Sequence, residues 1–209
     1  PSPTTNTKPS DWLDIIGKFN AASEANGTDV GDLTQIGGLG SQASSSTHGY
    51  RFGGYNQGVN DTIDKWAFAS DGNASSPGNM AYRTPGTPSS NNQRYNSSGH
   101  SDTKAYIFEG RRSPGQESAV APFMNEVVTH TFASDASSGI GALDLDTAYG
   151  GTATSSSVAV YRAAGYDAAA SANITRVAKL DTSTEATMTD VGDLTTATRY
   201  AANSSGPTG

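Results

Sequence analysis

The sequence predicts an all-β fold of about four repeat units, and three observations predict it. The heptapeptide Thr-Asp-Val-Gly-Asp-Leu-Thr occurs twice, at residues 28–34 and 189–195. Between and including these copies, Gly31-Asp32-Leu33, Gly78-Asn79-Met80, Gly141-Ala142-Leu143 and Gly192-Asp193-Leu194 mark units spaced by 47, 63 and 51 residues. Such self-similarity belongs to propellers, solenoids or arrays whose units cannot bury an apolar face alone. No stretch of the chain shows a helical period with caps, whereas short aromatic runs closed by glycine recur.

Each element can be justified in order on the second unit. Residues 47–54, Thr-His-Gly-Tyr-Arg-Phe-Gly-Gly, form a first strand that ends at glycines. Residues 61–69 form a second, with Ile63, Lys65 and Ala67 on one face and Asp64, Trp66 and Phe68 on the other. A reversal follows at Ser70-Asp71-Gly72-Asn73, where Gly and Asn accept positive φ. Past Gly78, Ala81-Tyr82-Arg83 leads into a third, weaker strand.

The other units align position by position. One column reads Ile16, Ile63, Val127, Val177 and predicts equivalent buried strand positions; the next two read Lys18, Lys65, Thr129, Lys179 and Phe19, Trp66, His130, Leu180. His130 is read there as a half-buried replacement for the aromatic. The first strand recurs as residues 155–162, which keep Ser-Ser-Ser and Tyr-Arg, and as Lys104-Ala105-Tyr106-Ile107-Phe108-Glu109-Gly110. The units fall around 14–54, 61–110, 127–165 and 173–206, within a repeat domain of 14–206 flanked by an arm, 1–13, and a tail, 207–209. Four second strands face only three first strands, so closure is incomplete. The missing strand is expected from residues 1–13, from residues 198–205 or from a neighbouring chain. The absence of an initiator Met predicts a processed product or a portion of something longer.

Composition narrows the function. Of 209 residues, 34% are apolar and 16% charged, with a formal net charge of −7 and no basic run, which argues against nucleic acid or an anionic membrane surface as partner. No run approaches the ~20 apolar residues of a spanning helix. There is no cysteine, so disulfides and thiolate metal sites are excluded.

Side chains that could carry chemistry point mostly elsewhere. His48, His100 and His130 lack the spacing that sets two metal ligands on one face. Asp29, Asp32, Asp190 and Asp193 sit in Gly-bounded turns, where Asp bonds nearby backbone N–H groups, and no calcium loop occurs. Ser-Ser-Ser recurs as part of the repeat, without a nucleophile motif. Glycine-rich strings lack the Lys and helix that would cradle phosphate. No cofactor, metal or catalytic residue is therefore expected. Six Asn-x-Ser/Thr sequons are little above chance. Tyrosines beside loops, Tyr55, Tyr82, Tyr149 and Tyr166, are the best binding candidates, because the ring is apolar and its tip polar.

A strand ending in Gly-Gly, a polar loop, a strand bearing Trp66, then a turn and a Gly-x-Leu element at ~50-residue spacing resembles the kelch-type β-propeller repeat. The likeness covers residues 14–206. Residues 65–74, 189–194 and 46–50 are further similar to the degenerate kelch-like repeats of marine phage structural proteins. The double glycine survives only at Gly53-Gly54, being Glu109-Gly110 and Ala164-Gly165 elsewhere. The resemblance implies a propeller or propeller segment and a non-enzymatic, virion or extracellular role. Its partners would be other protein subunits, the chain itself among them, with a glycan as a second candidate. The alternatives are a carbohydrate-active propeller enzyme and a secreted adhesin or filament subunit.

Overall fold

The computed structural model describes residues 13–19, 26–55, 59–81, 96–108, 126–141, 148–167 and 170–200. Among these the chain is all-β, with sixteen strands and no helix. The strands are β1 (Ile15–Lys18), β2 (Thr28–Asp32), β3 (Ser41–Ser44), β4 (His48–Tyr55), β5 (Val59–Ala67), β6 (Ser75–Asn79), β7 (Ser97–His100), β8 (Lys104–Phe108), β9 (Val127–Thr131), β10 (Ala136–Gly141), β11 (Ala148–Tyr149), β12 (Thr152–Ser155), β13 (Ala159–Ala163), β14 (Tyr166–Asp167), β15 (Ala172–Asp181) and β16 (Thr189–Thr198).

The strands group into antiparallel meanders. β3-β4-β5-β6 and β7-β8-β9-β10 are four-stranded, and β12-β13-β15-β16 repeats the pattern within a sheet that also carries β14 and β11. β1 and β2 form a two-stranded piece equivalent to the outer half of such a meander. The third-strand position is thus filled four times, by β1, β5, β9 and β15, and the second-strand position three times, by β4, β8 and β13. The first strands β3, β7 and β12 adjoin one another.

Register ties the repeat columns to geometry. Ile16 pairs with Gly31, Ile63 with Gly78, Val127 with Gly141 and Val177 with Gly192, and each ladder carries a bulge beside that pair. The bulge absorbs one extra residue and sharpens the twist of the outer strand. Ile16, Ile63 and Val127 are buried, but Val177 is only half-buried, a correction to the expected equivalence that follows from its place on the last sheet.

Three further readings are corrected. Each complete meander has four strands rather than three, because the polar first strands Ser-Gln-Ala-Ser, Ser-Ser-Gly-His and Thr-Ala-Thr-Ser carry almost no apolar signal. The weak outer strand is β6, which runs up to and through Gly78 rather than following it. The sheets also cut the chain elsewhere than the sequence units do, joining β3 and β4 to the β5 and β6 that follow. Of the segments expected to supply the missing strand, 1–13 and 198–205, residues 1–12 and 201–205 lie outside the described residues, as does Glu109-Gly110.

The core lies between the sheets. Tyr50, Phe52 and Ile63 of one sheet pack with Ala105, Ile107, Val128 and Phe132 of the next. Tyr106, Phe108 and Val127 then pack with Val160, Ala178 and Leu180 of the third. Each meander therefore has one face directed backward and one forward, and burial needs a neighbour on both sides. The alanine at Ala164 does not disturb the repeat: its φ of 63° matches the 60° of Gly53, and Gly165 at 123° matches Gly54 at 124°.

Candidate functional site

The four candidate tyrosines separate. Tyr149 and Tyr166 pair across β11 and β14, their ring centroids 5.4 Å apart. Tyr200 adds a third ring 6.3 Å from Tyr149, and the Arg199 guanidinium lies 4.7 Å from the Tyr166 centroid. The Arg199 Nη1 donates to the Tyr149 hydroxyl at 3.5 Å. This assembly offers three tilted rings and a cation beside them. Tyr55 occupies the position of Tyr166 on β4, bridged to Gly38, and does not join it. Tyr82 lies outside the described residues. Arg199 was missed because nothing in the sequence sets it beside residue 149.

A second concavity opens where the first strands converge. A groove of about 500 Å³ is lined by Gln42, Tyr50, Trp66, Phe68, His100 and Ser155, among others. The Trp66 ring covers Gly49, where an added Cβ would come within 2.4 Å of it. The groove's polar atoms hold the sheets together: the Ser155 hydroxyl accepts the His100 backbone N–H at 2.7 Å, and the Ser98 hydroxyl donates to the Gln42 carbonyl at 2.6 Å. The His100 Nδ1 is 3.3 Å from the Ser101 carbonyl, so the ring is turned to the backbone and away from Ser155.

The repeated serines are turn formers. The Ser45, Ser101 and Ser156 hydroxyls each accept the backbone N–H three residues on, from His48, Lys104 and Ala159, at 3.0, 3.2 and 3.1 Å. Asp29 and Asp190 likewise accept from Gly31 and Gly192 at 3.2 and 3.0 Å, on bulged strands instead of the expected turns. Among the described residues no three His, Asp or Glu side chains gather as a metal site.

His130 is fully buried, not half-buried, among Tyr50, Phe52 and Phe132. Burial holds its pKa below the ordinary value of 6.5, against the opposing pull of Asp135, whose Oδ1 is 3.5 Å from Nε2. Asp135 is itself held by Lys65 at 2.7 Å.

That ion pair belongs to a series that sequence reasoning missed. Lys18 reaches Asp71 at 3.0 Å, Lys65 reaches Asp135 at 2.7 Å and Lys104 reaches Glu185 at 2.6 Å, each joining one repeat to the turn of the next. The Tyr106 hydroxyl also donates to Glu185, at 3.0 Å, and burial together with that carboxylate pushes its pKa up to about 12. A signal existed. Phe-Ala-Ser-Asp is repeated at residues 68–71 and 132–135, and an acid stands eight residues after every column residue: Glu24, outside the described residues, Asp71, Asp135 and Glu185.

The comparisons with known proteins add no relative: no family model matches the chain, and neither does any curated protein.

Proposed function

We propose that this chain is a non-enzymatic structural repeat subunit, a kelch-like propeller segment of about four units, working in a phage virion or other extracellular assembly. One observation carries the reading: the acids that recur along the repeat, Asp71, Asp135 and Glu185, each pair with a lysine of the preceding unit, Lys18, Lys65 and Lys104. Side chains spent on joining units serve construction. The propeller reading is supported by four-stranded antiparallel meanders whose first strands adjoin, the arrangement of blades about an axis.

Its partners are other protein subunits. A glycan is a second reading, favoured by Arg199 lying over the Tyr166 and Tyr200 rings and donating to the Tyr149 hydroxyl. The test is location: antibody against the chain, applied to density-gradient fractions from the source organism, should label particles, and label confined to soluble fractions refutes the reading. A glycan array with wild type and Tyr166→Ala tests the second.

A further inference from the structure

The two ends of the described chain expose complementary faces that the interior seams bury. On every sheet the forward face is set by the same cross-strand pairs: Tyr50 with Lys65 and Phe52 with Ile63, then Tyr106 with Thr129 and Phe108 with Val127. These are covered by the following sheet. On the last sheet the corresponding pairs are Tyr161 with Lys179 and Ala163 with Val177, and all four residues are half-buried.

At the other end, β1 turns the opposite face outward. Ile16 is buried, while the alternate residues Leu13, Ile15 and Phe19 are 65%, 46% and 72% exposed. Phe19 stands in the column of His130 and Leu180, the residues with which the second and third sheets pack on the forward face before them. Three large apolar side chains on the outward face of a strand whose one partner among the described residues is β2 are unusual on a solvated surface.

The duplicated heptapeptide shows the same asymmetry. In β2 the backbone N–H of Asp32 donates to Asn73 at 3.1 Å, the Asp32 carbonyl accepts from Ala74 at 2.7 Å, and Gly31 lies so close to Gly72 that a Cβ would meet its carbonyl oxygen at 2.2 Å. In β16 the same seven residues are exposed apart from a half-buried Leu194, and no described residue lies within 4 Å of a Cβ on Gly192. One copy is covered by the turn of a following unit, and the other shows the same surface uncovered.

We propose that the forward face of the last sheet, Tyr161, Val177 and Lys179, docks the β1 face, Leu13, Ile15 and Phe19, of a second copy of this chain. The occupant is a second copy because both faces are open among the described residues, and because each is the counterpart of a face buried at the interior seams. The contact joins unlike surfaces, so it is heterologous and propagates into a ring or a filament. The inference rests on reading the chain as an assembly subunit, and not on where that assembly is found.

The test is mass in solution by sedimentation, with circular dichroism as the check on folding. Wild type should exceed the mass of one chain, increasingly with concentration. Phe19→Asp and Val177→Asp, each spoiling one face, should each sediment as single chains. Lys179→Glu serves in place of Val177→Asp if that variant does not fold. Mixed in equal amounts, one variant of each face should form two-chain complexes and nothing larger, since only one intact seam remains. A wild type that stays monomeric, with Phe19→Asp only lowering its melting temperature as self-closure requires, or variants that do not pair on mixing would each overturn the proposal. A monomeric chain that still labels particles would sink this seam and leave the functional reading standing.

Discussion

Removing Asp64 while leaving Arg51 should be among the most damaging single changes in the described fold. Arg51 is 5% exposed and Asp64 2%, with Nη1 and Oδ2 3.5 Å apart, and the two residues pair across β4 and β5. The other Asp64 oxygen accepts both the backbone N–H and the hydroxyl of Thr34, and Arg51 Nη1 donates to the Gln35 carbonyl at 3.1 Å. Burial lowers the Arg51 pKa and Asp64 raises it, so the carboxylate is what keeps a buried guanidinium tolerable. Asp64→Val strands that charge and leaves two Thr34 donors without their acceptor. The expected loss is about 3–5 kcal/mol.

The repeat itself supplies the control. At the same paired position the second sheet has Ile107 opposite Val128. The double variant Arg51→Ile with Asp64→Val removes both charges and leaves only the Gln35 carbonyl and the Thr34 donors to be resatisfied, a cost of about 1–2 kcal/mol. Urea unfolding followed by tryptophan fluorescence gives both numbers, and the double variant should be more stable than Asp64→Val alone. Asp64→Asn, which keeps an acceptor for Thr34, should fall between. A loss under about 1 kcal/mol for Asp64→Val, or additive single losses, would refute the claim that the pair acts as a unit.

Three other outcomes follow from the same geometry. The His130 pKa is depressed in the folded state, so its contribution is present above the unfolded value of 6.5 and is lost as pH falls through the lower folded value; stability should drop by at most about 1.4 kcal/mol per pH unit there, and His130→Leu, following Leu180, should flatten the profile measured by urea titration. Ala164→Gly should stabilise by about 1 kcal/mol, because φ at 63° strains an alanine but not a glycine; an unchanged melting temperature would show that the site relaxes. Gly31→Ala should cost about 1–3 kcal/mol more than Gly192→Ala at concentrations where the chain is monomeric, since only at Gly31 does a Cβ meet the Gly72 carbonyl; equal losses would mean that the turn does not hold β2 in solution.

What the sequence made legible, and what it hid, divides by how each feature earns its place. The column Ile16, Ile63, Val127, Val177 and the markers Gly31, Gly78, Gly141, Gly192 were visible because a bulge and a buried side chain tolerate few residue types. The first strands β3, β7 and β12 were hidden because they are made of Ser, Gln, Thr and small residues, whose alternation carries no hydrophobic period. Tyr149 and Tyr166 are nominated by the sequence as exposed aromatics, but Tyr149 is buried at 8% and Tyr166 half-buried; their pairing depends on a two-residue ladder, and Arg199 joins from a different stretch of chain.

The heptapeptide at residues 28–34 and 189–195 takes this one step further, because there the sequence is held constant. Both copies form an outer strand with the same register to the column residue, the same bulge, and the same Asp carboxylate accepting from the glycine N–H. Local sequence therefore suffices for that much. Yet Val30, Gly31 and Asp32 are half-buried while Val191, Gly192 and Asp193 are exposed. The difference comes from the following sheet and above all its turn at residues 70–74, which lies against one copy and has no counterpart against the other among the described residues. In a repeat chain, burial is a property of neighbours, so a residue that matches its repeat in type but not in burial marks a seam. By that criterion Val177, half-buried where Ile63 and Val127 are buried, lies on such a seam and not on the outer surface of a finished object.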